Sequence, residues 1–142
     1  MHAHTLPEWT QAINPLFAVA LLVCAARQLR RAAPPWIGAV ALTTLLILLA
    51  CKLIQHLRVE GAHFPSTHFA FALAVAGAFC ALNRRYVPPV IAFVAAYGAL
   101  ILWRHFHTPV EMLGSLPAFP LSFGVAQWSQ RRTQRSVAGG EG

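Results

Sequence analysis

Two short polar segments stand at the edges of long apolar runs: Gly61-Ala-His-Phe-Pro-Ser-Thr-His68 and Arg104-His-Phe-His107-Thr-Pro-Val-Glu111. Together they supply imidazoles, a carboxylate and cations in a chain otherwise poor in charge. That set suits phosphate chemistry. One imidazole can attack phosphorus while a second protonates the leaving oxygen. A nucleophilic ring needs its other nitrogen held by an acceptor, which fixes the tautomer and stabilises the developing positive charge. Glu111 follows His107 by one helical turn, so the two share a face if the segment is helical. Lys52, Arg58 and Arg104 are the cations that could neutralise phosphate oxygens, the arginines in bidentate fashion. A helix that starts at Ser66-Thr67-His68 would add free backbone N–H groups, which bind anions.

The elements that must position these groups are legible from their ends. Ser66 is a good N-cap and puts His68 in the first turn of the helix it opens. Thr108-Pro109-Val110-Glu111 has Thr at the N-cap, Pro at the first helical position and Glu at the third, the pattern of a capping box. Each cluster therefore also has a plain structural reading: Ser66 as only a cap, Glu111 as only the partner of Thr108. Arg31-Ala-Ala-Pro-Pro35 and Tyr86-Val-Pro-Pro89 are turns that open the next helix. Gly114, Pro117 and Pro120 predict a bend in the last helix. His63 and His105 read as interfacial residues with no assigned role, and His2 and His4 lie in a terminus expected to be mobile.

The 142 residues suit one compact unit, with no composition break to suggest a second. Hydrophobic residues make up 57% and charged residues 11%, and mean hydropathy is +0.56; a water-soluble domain carries about 25% charged residues. The fold class expected is all-α, a polytopic membrane bundle of about five transmembrane helices. The spans fall at roughly 12–29, 36–55, 67–83, 87–103 and 109–128, with a mobile basic tail at 129–142. Cys24, Cys51 and Cys80 lie within or at the ends of these runs, lack metal-ligand spacing and read as small apolar residues. No basic region or small-residue cleavage site marks a cleaved signal peptide before the first run.

Arginines cluster after spans one, three and five: Arg27, Arg30 and Arg31; Arg84 and Arg85; Arg131, Arg132 and Arg135. The positive-inside rule puts these in the cytoplasm, with the C-terminus, and leaves the N-terminus and both polar clusters outside. The net charge of +7 thus reads as an orientation signal and not as a nucleic-acid surface. In a bacterium the expected location is the inner membrane, with the site facing the periplasm.

At these residues the chain resembles the type 2 phosphatidic acid phosphatase superfamily of membrane lipid phosphatases, whose motifs run K-x6-R-P, P-S-G-H and S-R-x5-H-x3-D. Pro65-Ser66-Thr67-His68 resembles the second motif with Thr for Gly. His107-Thr-Pro-Val-Glu111 resembles the end of the third with Glu for Asp. Lys52 and Arg58 resemble the first, one residue short and with Val59 in place of Pro. The resemblance covers residues 52–115. It implies a phosphohistidine on His107 oriented by Glu111, with His68 as general acid. Lys52, Arg58, Ser66, Thr67 and Arg104 would hold the phosphoryl group, without metal or cofactor. The family's third-motif Arg would fall at Ile101, so Arg104 would have to act from another turn.

The resemblance implies a lipid phosphate substrate, with undecaprenyl pyrophosphate, phosphatidylglycerol phosphate, phosphatidic acid and lipid A phosphates as candidates. Membrane lipids are the expected surroundings, and five short helices around a polar site leave room for a homo-oligomer. Two other readings stay open. One is a membrane haem- or metal-binding protein using His56, His63, His68, His105 or His107, against which the neighbouring Lys and Arg count. The other is a family member that binds lipid without catalysis.

Overall fold

The computed structural model describes residues 8–57 and 64–138. These are all-helical, with no strand among the described residues: α1 (Glu8–Leu29), α2 (Ala33–Leu57), α3 (Thr67–Leu82), α4 (Val87–Trp103), the single-turn α5 (Pro109–Leu113) and α6 (Ala118–Ala138). Short 3-10 turns at Arg30–Ala32 and Arg84–Tyr86 lead into α2 and α4. Among the described residues, two helical stretches, Ala12–Leu57 and Arg84–Trp103, are long and apolar enough to cross a membrane. The first is folded in two at Arg30, whose φ of 50° reverses the chain. α1 and α2 then lie side by side, and Leu21 of α1 and Val40 of α2 belong to one buried cluster.

The central element is α3. Its sequence, Thr-His-Phe-Ala-Phe-Ala-Leu-Ala-Val-Ala-Gly-Ala-Phe-Cys-Ala-Leu, is mostly small residues, which let neighbouring backbones approach closely. Apart from Thr67, His68 and Phe71, every residue of α3 is buried. α1, α2, α4 and α6 all pack on it, α6 most extensively. At the α6 crossing a Cβ on Gly77 would collide with the Phe119 carbonyl oxygen and reach Phe123 N at 3.0 Å, so only glycine fits there. Long polar side chains tie helices to one another. Trp36 Nε1 donates to Ala126 O (3.0 Å), Gln28 Nε2 to Leu82 O (3.1 Å) and Asn14 Nδ2 to His68 O (3.1 Å).

The last expected span is not one helix. Residues 109–113 form α5, residues 114–117 turn, and α6 begins at Ala118. The Gly114 and Pro117 bend is therefore a full break. Residues 129–138, expected as part of a mobile tail, continue α6, while 139–142 lie outside the described residues. α6 is not among the apolar crossing stretches, since its second half carries Arg131, Arg132 and Arg135.

The connections sort by end. The α1–α2 turn, the α3–α4 turn and the outgoing end of α6 share one end, which gathers the three arginine groups. The other end holds the last turn of α2, the first turn of α3, the close of α4 and all of α5.

Candidate functional site

Both caps read from the sequence form. The Ser66 hydroxyl accepts from Phe69 N–H (3.3 Å) and starts α3. Thr108 Oγ1 accepts from Glu111 N–H (3.3 Å), and the Glu111 carboxylate accepts from Thr108 N–H (3.1 Å), completing a capping box. The same Glu111 Oε2 lies 2.8 Å from His107 Nδ1. The side chains of this pair are 14% and 19% exposed, so the contact is shielded yet reachable from solvent. With Nδ1–H donating to the carboxylate, Nε2 of His107 keeps its lone pair free. That is the arrangement a nucleophilic imidazole requires.

His68 faces this pair from the first turn of α3. The His68 and His107 ring centroids are 6.4 Å apart at 41° between planes. Lys52 and Thr67 border the same cavity as His68. Thr67 and His68 are the first two residues of α3, so their N–H groups have no partner within the helix. Lys52 Nζ donates to Gln55 Oε1 at 3.3 Å.

The two halves of the site come from segments far apart in sequence and are fastened by their backbones. Ser66 N–H donates to Glu111 O at 3.0 Å. Ser115 Oγ, 2% exposed, donates to Ser66 O at 2.9 Å and lies 3.3 Å from Glu111 O. Gln55 Nε2 donates to Pro65 O at 2.7 Å, and Asn14 holds the His68 carbonyl. Buried and partly buried hydrogen bonds of this kind fix the spacing of His68 from His107. Ser115, Gln55 and Asn14 had no sequence signal as site residues, because their partners lie on other elements.

The expected site residues divide. His107, Glu111, His68, Lys52 and Thr67 gather at one end of the bundle. Ser66 was expected to hold phosphate, but it is fully buried and its hydroxyl caps α3. Arg104 is the C-cap of α4 and is exposed, its guanidinium 6.0 Å from the Phe106 ring centroid. Among the described residues it forms no ion pair or hydrogen bond with Glu111 or His107. Arg58 and His63 lie outside the described residues. Nor, among the described residues, do three His, Cys, Asp or Glu side chains gather as metal ligands.

His105 has a backbone role. Its φ of 55° is left-handed. His105 N–H donates to Leu102 O (3.0 Å) and Phe106 N–H to Ile101 O (3.2 Å). This is a Schellman motif, which satisfies carbonyls left free at the end of α4. It turns the chain so that His107 enters the site. Glycine is the usual residue at that position.

Compared with models of known families, with characterised proteins and with solved structures, the chain matches none.

Proposed function

We propose that this chain is an integral membrane phosphatase that hydrolyses a lipid phosphate through a phosphohistidine on His107. The observation that carries this reading is the 2.8 Å contact between His107 Nδ1 and Glu111 Oε2, opposite the ring of His68. His107 Nε2 attacks phosphorus, and the bond from phosphorus to the lipid oxygen breaks. His68, held protonated by the negative charge of the bound phosphate, gives its proton to that oxygen, releasing the lipid alcohol. Neutral His68 then takes a proton from water, whose oxygen attacks the phosphohistidine, and inorganic phosphate leaves with His107 restored. Lys52 and the N–H groups at the start of α3 balance the phosphoryl charge.

The membrane setting is supported by the exposed face of α2, where Leu42, Leu45, Leu46, Leu49 and Leu53 are each more than half exposed. Such a stripe is costly in water and at home against lipid tails. With the arginine end in the cytoplasm, the site opens on the outer face, the periplasm in a bacterium. The likeness of residues 52–115 to type 2 phosphatidic acid phosphatases agrees with this chemistry, with Ser66 assigned to the cap.

The test is phosphate release from a panel of lipid phosphates by the purified protein in detergent, with His107→Ala and His68→Ala alongside. Turnover by the wild type that both substitutions abolish, and that EDTA leaves intact, is expected. Release no greater than that of the variants removes the enzyme and leaves a lipid-binding protein. Loss with EDTA points to a metal site.

A further inference from the structure

A furrow leads from the candidate site along α1, α2 and α3. Its upper part is a cavity of about 440 Å³ with Lys52, Thr67 and His68 at its mouth and Leu48 and Phe71 below them. Leu48 and Phe71 also border a second cavity of about 310 Å³, walled mainly by apolar side chains such as Leu21, Val40 and Leu45 and reaching Trp36. The two adjoin across Leu48 and Phe71. Trp36 is buried and held by its bond to Ala126 O, so it makes a firm far end. Lys52 and Trp36 are about 24 Å apart along α2 at ~1.5 Å per residue, which exceeds half of a hydrocarbon layer of about 30 Å.

We propose that this furrow holds a single long hydrocarbon chain of the phosphate-bearing amphiphile, with its headgroup at Lys52 and His68. The proposal rests on the reading of His107 and His68 as phosphate chemistry and names the class of substrate they take. Lipid tails are as apolar as leucine, so burial alone cannot select an occupant. Selection comes from the charge at the mouth. A second apolar cleft of about 520 Å³ lies between α3 and α4, bordered by Phe69, Val94 and Met112, but no charged or polar side chain borders it. A phosphate anchored at Lys52 therefore directs its chain towards α1 and α2. The depth of the furrow favours a chain longer than one leaflet over a short one.

The experiment is photolabelling of the purified full chain in bilayer discs with hexadecyl phosphate carrying a diazirine near the end of its chain, followed by peptide mapping. Labelling is expected on the facing sides of α1 and α2, competed by unlabelled hexadecyl phosphate but not by hexadecanol. Ala41→Trp, an exposed position bordering the furrow, is expected to lower it about tenfold by filling the space. Ile91→Trp, in the second cleft, is expected to leave it unchanged. Labelling centred on α4, or equal labelling by a phosphate-free analogue as for bulk lipid, overturns the proposal. Phosphate release from hexadecyl phosphate is read in parallel. Labelling in the furrow without release discards the phosphatase and keeps the chain site, whereas release with labelling elsewhere does the reverse.

Discussion

A single oxygen of Glu111 serves both His107 and the helix that follows it: Oε2 lies 2.8 Å from His107 Nδ1 and accepts from Thr108 N–H at 3.1 Å. Capping and orientation are thus one interaction. The backbone of Glu111 joins in, since its carbonyl receives Ser66 N–H at 3.0 Å and ties the pair to the start of α3.

That coupling separates two substitutions. Glu111→Gln keeps an acceptor for the ring and the cap but loses the charge that stabilises a phosphorylated imidazole. Its phosphate release is expected to fall by about 10²-fold or more, with unfolding stability changed by less than about 0.5 kcal/mol. Glu111→Ala also loses the bond from Thr108 N–H, the reciprocal half of the capping box, and is expected to cost about 1 kcal/mol further. Parallel turnover assays and thermal unfolding in detergent measure both effects.

Ser66→Ala tests the cap against the phosphate ligand. Loss of the N-cap is expected to destabilise the protein by about 1 kcal/mol. The kcat/KM of the folded fraction is expected to drop by less than about tenfold, because the hydroxyl touches no reacting group. A far larger loss at unchanged stability would mean that Ser66 turns outward to substrate.

The cations divide in the same way. Lys52→Ala is expected to lower kcat/KM by roughly 10- to 100-fold, matching the ~1.5–3 kcal/mol of a hydrogen bond to a charged group. Arg104→Ala, at an exposed position near Phe106, is expected to have the smaller effect. The reverse order, read from substrate titrations, would assign the phosphate to Arg104.

His105→Gly relieves the left-handed residue in the Schellman turn. An L side chain there costs about 1–2 kcal/mol, part of which the added chain freedom of glycine offsets. The variant is expected to be more stable by up to about 1 kcal/mol, measured by denaturant unfolding. Destabilisation would show that the imidazole makes a contact worth more than the strain.

The parts of this arrangement that were legible in the sequence are local ones. Ser66 announces its helix by its own residue type, Thr108 through Pro109 and Glu111, and the His107–Glu111 spacing carries its own geometry. The break between α5 and α6 is legible only as a bend, from Gly114, Pro117 and Pro120. There Ser115 turns inward to bond the Ser66 carbonyl, a partner 49 residues away. Asn14 sits unannounced within an apolar run, and only the fold brings it to His68. The family resemblance assigns Ser66 to phosphate, whereas its residue type alone reads as a cap. Its burial and its bond from Phe69 N–H fit the cap.

The central claim is the covalent intermediate on His107, and trapping it is the most direct measurement. Protein incubated with a ³²P-labelled lipid phosphate and quenched in alkali is expected to carry acid-labile label on the peptide containing His107. Glu111→Gln is expected to reduce that label and His107→Ala to abolish it. Phosphate release without any labelled protein, or label on another residue, would contradict the account.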